Sequence, residues 1–160
     1  MINILSNFQQ GIITVAFILA ILIVVVFSIG KIIKAYRWSL YRIDRMKGDD
    51  FEDFIKEIYI ILGYTVEKTK KSGDQGIDLI VKKHFRRIGI QLKRYSHTVG
   101  NSAVQEAVAG RRYYQLDKVC VLTNSTYTKS AKELAKVNKV ELIDRENLKE
   151  LIKKAKNKTK

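Results

Sequence analysis

Residues 11 to 30 read GIITVAFILAILIVVVFSIG, a run of 20 positions that holds 16 apolar residues and no charge. As a helix rising about 1.5 Å per residue, such a run is ~30 Å long, the thickness of a bilayer's hydrocarbon core. It is apolar on every face, and burying such a rod inside protein would take a larger domain than the one C-terminal to it. The run therefore predicts a transmembrane helix. A cleavable leader carries its positive charge ahead of its apolar stretch, whereas MINILSNFQQ contains no Lys or Arg, so the segment reads as a retained anchor with a short non-cytoplasmic N-terminus at 1–10.

The charges beside the run orient it. Lys31, Lys34, Arg37, Arg42, Arg45 and Lys47 come after it, opposed by Asp44 alone. The positive-inside rule puts that flank, and everything after it, in the cytoplasm. On a helical wheel Ile33, Tyr36, Leu40 and Ile43 share one side, with Lys31, Lys34, Arg42 and Arg45 opposite. Residues 31–48 thus read either as a basic amphipathic segment lying on anionic lipid or as a solvated linker. The basic excess does not end at Gly48. Residues 49–160 carry 24 Lys and Arg against 15 Asp and Glu, net +9 of the chain's +14, which excludes an acidic interaction tail and points to a polyanionic partner. Cys120 is the only cysteine, so an internal disulfide and a multi-cysteine zinc cage are both excluded.

Beyond Gly48 the periodicity alternates. Phe51, Phe54, Ile55, Ile58 and Leu62 keep a helical period behind the candidate caps Asp49 and Asp50, and Gly63 is a stop. A strand over Tyr64–Thr69 leads into the turn-rich KKSGDQG, then two strands, Ile77–Val81 and Ile88–Lys93, flank the polar KKHFRR as a hairpin. Next come a helix over 102–115, strand Lys118–Thr123, helix Lys129–Asn138, strand Val140–Ile143 and helix Glu146–Lys156. A hairpin first and strand–helix alternation later predict an α/β domain over 49–160: a mixed sheet flanked by helices, preceded by one transmembrane helix.

Strand alternation locates the chemistry. If Ile77, Leu79 and Val81 share a face with Ile88, Ile90 and Leu92, then Asp78, Gln91 and Lys93 share the other. A carboxylate, an amide oxygen and an ammonium would then lie close together, and hard oxygen donors of that kind suit Mg²⁺. On the first helix Glu52 lies at the edge of the apolar stripe, where it either looks toward the sheet or is simply an acid favoured by the helix dipole. Each of these residues alone has an ordinary explanation as a turn or surface residue. Together they form G-D-x-G-x-D, with Q-x-K 13 positions later.

These residues carry a resemblance. FEDF at 51–54, GDQGIDL at 73–79, QLKRY at 91–95, VLTNSTYTKSAKELA at 121–135 and LID at 142–144 together resemble the Mrr-type restriction endonuclease catalytic domain, over roughly 49–148. That domain is a branch of the PD-(D/E)xK nucleases. The resemblance implies a restriction-endonuclease-like core that hydrolyses double-stranded DNA with Mg²⁺, for which Mn²⁺ can substitute. It assigns Asp78 and Gln91 to the metal, Lys93 as the motif lysine, and Glu52 as the first-helix acid. Two positions depart from the broader superfamily: Ile77 stands where proline is frequent, and Gln91 brings one negative charge fewer than glutamate, which should weaken the hold on a cation.

Lys71 and Arg94 are the expected phosphate contacts. His84 and His97 lack the spacing of a zinc site, Thr128 and Ser130 are explained as helix caps, and Cys120 reads as packing. The leading expectation is a single-pass membrane endonuclease with a cytoplasmic catalytic domain, serving restriction or defence against foreign DNA. The alternatives are a tethered DNA-binding module that has lost turnover, and a protein that binds acidic lipid or another protein. Cutting both strands makes a homodimer reasonable.

Overall fold

The computed structural model describes residues 2–69 and 75–159. The chain divides into two compact units, Met1–Ser39 and Leu40–Lys160. The first is a single helix, α1 (Ile2–Arg37). Its apolar stretch is exposed throughout, and it is long and apolar enough to cross a membrane. The hydroxyls inside that stretch turn inward, Thr14 donating to the Gln10 carbonyl and Ser28 to the Val24 carbonyl. Neither then needs water, which is the condition for a polar group at bilayer depth.

The second unit runs α2 (Leu40–Ile43), α3 (Gly48–Ile61), β1 (Thr65–Lys68), β2 (Leu79–Lys83), β3 (Arg86–Lys93), α4 (Asn101–Tyr113), β4 (Lys118–Thr123), α5 (Lys129–Asn138), β5 (Glu141–Ile143) and α6 (Arg145–Lys158). The five strands lie in sequence order; β1, β2 and β3 are antiparallel, whereas β3, β4 and β5 are parallel. Both parallel steps advance the same way across the sheet. With crossovers of one hand, α4 and α5 must fall on one face, and they do, packing together over β3, β4 and β5. Helices α3 and α6 pair on the other face. Strand β4 is therefore covered on both sides, by α4 and α6, and reads as the apolar run VCVL before Thr123.

Helix α3 buries Phe51, Phe54, Ile55, Ile58 and Tyr59. Each such side chain removed from water contributes on the order of 1.5–3 kcal/mol. Its N-cap is Lys47, so Asp49 and Asp50 sit in the first turn rather than capping it, where their charge still favours the helix dipole. Gly63, at φ +88°, ends the helix as expected.

Two features depart from the expected pattern. Ile43 and Met46 are buried in the second unit, so residues placed by sequence in a juxtamembrane segment ending at 48 belong to the folded domain from Leu40 onward. Ile77 does not share the row of Leu79 and Val81; it joins Ile80, Val104 and Val121 in the core under α4. The cause is local. The Asp78 N–H donates to the Ile90 carbonyl at 2.9 Å, while Leu79 is already the register partner of Ile90. Two consecutive residues thus oppose one, as in a β-bulge, and alternation breaks at the head of β2.

Candidate active site

The strand end that carries Lys93 is where the polar residues gather. Side chains at Gly89, Gln91 and Lys93 face α4: a Cβ at Gly89 would meet Leu116 and Ile77, and the Lys93 Nζ donates to Glu106 Oε2 of α4 at 2.6 Å. Gln91 is 5% exposed, and its Oε1 accepts no hydrogen bond among the described residues. A buried amide oxygen left without a donor is costly, by about 1–3 kcal/mol, unless something outside the protein satisfies it.

Asp78 reaches this place by a route other than simple alternation. From the bulge its Oδ2 accepts the backbone N–H of Leu92 at 2.5 Å, between Gln91 and Lys93. The carboxylate is therefore fastened to the same segment of β3 that presents the amide and the ammonium. Thr69 supports it from β1's end, its N–H donating to the Asp78 carbonyl at 3.1 Å and its hydroxyl to the Ile77 carbonyl.

Glu52 is engaged elsewhere. Its carboxylate lies 3.2 Å from Lys68 Nζ, which also meets Asp53 at 2.8 Å. These two acids, Asp53 foremost, hold the Lys68 ammonium above its ordinary range. Glu52 thus sits on α3, across the sheet from α4, beside the strand whose end holds Thr69. Arg94, expected on phosphate, is half-buried and donates from Nη1 to the Asp44 carbonyl at 3.1 Å. Lys71 lies outside the described residues.

Sequence reasoning missed the polar residues that brace the strand end. Thr123 is fully buried opposite Lys93 and donates to the Lys93 carbonyl at 2.6 Å. Asn124 accepts the Tyr95 N–H at 2.8 Å and donates to Asp44 Oδ1 at 2.9 Å. Arg145 then clamps Asp44 through two bonds of 2.7 Å. That guanidinium, more than the Asn124 amide, holds the Asp44 carboxyl below its usual range, against the opposing effect of burial. The signal available was the dipeptide Thr123-Asn124 closing an otherwise apolar strand. Cys120 is buried in β4, and burial pushes its thiol pKa up, away from reactivity.

A divalent cation needs hard oxygen donors, and Asp78 with the unpartnered Gln91 Oε1 fits that need. Among the described residues no group of three His, Cys, Asp or Glu side chains gathers, so any ion here rests on a mixed carboxylate and amide set.

The mixed sheet and its covering helices are those of the restriction-endonuclease class. A family model described as Restriction endonuclease (Mrr_cat) matches residues 43–152, and the chain belongs to that family, whose nucleases generally use divalent metal ions. The match begins at Ile43, inside the segment that the structure folds into the domain. No curated protein matches the chain. Among solved structures it is similar to a protein of unknown function, AF1548, with TM-score 0.55 and 15% identity over 66% of this chain and 65% of that one. It is also similar to the MspJI restriction endonuclease, solved in complex with a 27-mer oligonucleotide, with TM-score 0.51 and 16% identity over 73% of this chain and 30% of that one. The chain spans less than two thirds of either protein. At these identities the likeness shows the fold, which is the α/β restriction-endonuclease-like sheet expected from the sequence.

Proposed function

We propose that the chain is a membrane-anchored, Mg²⁺-dependent endonuclease that hydrolyses phosphodiester bonds of double-stranded DNA from the cytoplasmic side, in restriction or defence against foreign DNA. The observation that carries this reading is the fastening of Asp78 to the Leu92 N–H, between the unpartnered Gln91 amide oxygen and the Lys93 ammonium. Membership of the restriction endonuclease family and the net +9 of residues 49–160 support DNA as the partner. The exposed apolar helix and its one-sided basic flank support the anchor and its orientation.

On this reading Asp78 and Gln91 hold the cation; Glu52, the first-helix acid, is paired with Lys68 and joins them only by leaving that ion pair. When bound, such an ion polarises the phosphoryl oxygen and lowers the pKa of water. Lys93, fixed by Thr123 behind it and Glu106 beside it, orients the nucleophile and offsets the negative charge that builds on the phosphoryl group. Burial of Gln91 under α4 excludes bulk water from its amide oxygen. Arg94 and Lys71 add phosphate contacts, Arg94 by exchanging the Asp44 carbonyl for a phosphate oxygen.

The test uses the full chain in lipid nanodiscs, incubated with supercoiled plasmid and Mg²⁺ or Mn²⁺, beside Asp78→Ala and Lys93→Ala. Cutting that both substitutions abolish supports the enzyme. Salt-sensitive DNA binding without cutting establishes instead the tethered binding module that the neutral Gln91 would favour. Protease accessibility of the C-terminal tail in intact and lysed cells tests the orientation.

A further inference from the structure

Charge balance exposes a gap in the candidate site. Asp78 brings one negative charge to the motif strand, Lys93 one positive and Gln91 none, while Glu52 is held in an ion pair with Lys68, so the motif residues have no net negative charge to set against a divalent cation. A further carboxylate comes to the same strand end. Glu106 leaves α4 and meets Lys93 Nζ at 2.6 Å.

Its position is fixed from several sides. A Cβ placed on Gly76 would lie 2.4 Å from the Glu106 carbonyl oxygen and 2.8 Å from its Cβ, so the turn that delivers Asp78 lies directly on this residue. Gly76 takes φ +78°, and the approach is close because the position has no side chain. Gln91 faces the same helix, about 6.6 Å along β3 from Lys93, with its amide oxygen buried and unpartnered among the described residues. Ala103 and Ala107, the small residues flanking Glu106 on the inner side of α4, let the helix come down onto this part of the sheet. The Glu106 side chain nevertheless stays 40% exposed, open to an incoming ion.

We infer that Glu106 is the second carboxylate of the divalent-cation site, supplying from α4 the charge that Gln91 withholds. This rests on the metal-dependent reading above and names a ligand that the D-x(12)-Q-x-K pattern does not contain. The ion pair with Lys93 keeps the carboxylate at the strand end, and it links the motif lysine to the ligand set.

The experiment measures metal binding without nucleic acid. The full chain in nanodiscs is titrated with Mn²⁺, and free Mn²⁺ is read by electron paramagnetic resonance, for the parent chain, Asp78→Asn, Glu106→Gln, Gln91→Glu and the double variant Gln91→Glu/Glu106→Gln. Thermal melts check that each is folded. Glu106→Gln is expected to weaken Mn²⁺ binding about tenfold or more, because each carboxylate charge tunes such a site. Moving the charge to the strand in the double variant should restore affinity to within about threefold of the parent chain. Parent-like Mn²⁺ affinity in Glu106→Gln, with affinity lost in Asp78→Asn, overturns the inference and leaves the metal-dependent reading standing. A loss in Glu106→Gln that the double variant does not recover also overturns it, since Glu106 would then serve Lys93 alone. A parent chain that binds no Mn²⁺, or that binds it regardless of Asp78, overturns both.

Discussion

Asp44 and Arg145 stand 101 positions apart in the chain and meet through two hydrogen bonds of 2.7 Å, carboxylate to guanidinium. Asn124 and Arg94 close on the same aspartate, so the start of the domain is tied to the ends of β3 and β4 and to the first turn of α6. Asp44→Ala should destabilise the domain by about 1–3 kcal/mol, less than for a fully buried pair because both side chains keep about a third of their surface in water. Urea unfolding of the two chains measures it.

Removing the whole segment should cost more. Residues 48–160 lack Ile43, Asp44 and Met46, of which Ile43 and Met46 are buried, whereas residues 40–160 retain all of them. Losing two buried apolar side chains and the clamp together should lower stability by roughly 4–9 kcal/mol. Parallel thermal melts of the two fragments test this, and equal melting temperatures would contradict it.

The clamp also sets a pH dependence. The Asp44 carboxyl is depressed below its ordinary pKa of 3.8, chiefly by the Arg145 bond. A depressed carboxyl contributes stability that is present above the unfolded pKa and is lost as pH falls through the folded one. The stability gap between the parent chain and Asp44→Asn should therefore be constant from about pH 7 down to about pH 5 and should close progressively below about pH 4. Chemical denaturation at each pH reads the gap directly.

Behind the motif lysine, Thr123→Val keeps the shape of a fully buried side chain and removes its hydroxyl. The Lys93 carbonyl loses its donor at 2.6 Å and the Ser125 N–H its acceptor at 3.1 Å. The expected cost is about 1–3 kcal/mol, with plasmid cleavage falling because the strand end that holds Lys93 loosens. Cleavage at the parent rate despite lower stability would separate this brace from the chemistry.

Gly76→Ala is the sharpest test of the turn before Asp78. It combines a left-handed φ with a Cβ thrust against the α4 backbone, so it should cost about 2–4 kcal/mol and displace Asp78 from the Leu92 N–H. Melting temperature and plasmid cutting should fall together.

Much of this architecture was written locally. Strand β4 and helix α5 run as expected because VCVL is an unbroken apolar run and Thr128 caps α5, accepting the Ala131 N–H at 3.1 Å. The alternation that groups Gln91 with Lys93 held along β3, where the pleat is regular. It failed at Ile77 because a bulge is a product of pairing between strands and leaves no periodic trace. Asp44 was hidden as the lone acid in a basic flank, and Glu106 as one more polar position on a solvated helix. What marks each is a partner far away in sequence, Arg145 for one and Lys93 for the other.

The sheet's margins limit how copies of this protein can associate. One border strand, β1, is four residues long and carries Glu67 and Lys68; the other, β5, is three residues long. Short, charged borders resist edge-on fusion into a continuous ribbon shared by two molecules. A pairing of two copies through their helical surfaces would leave the backbone ladder of each intact.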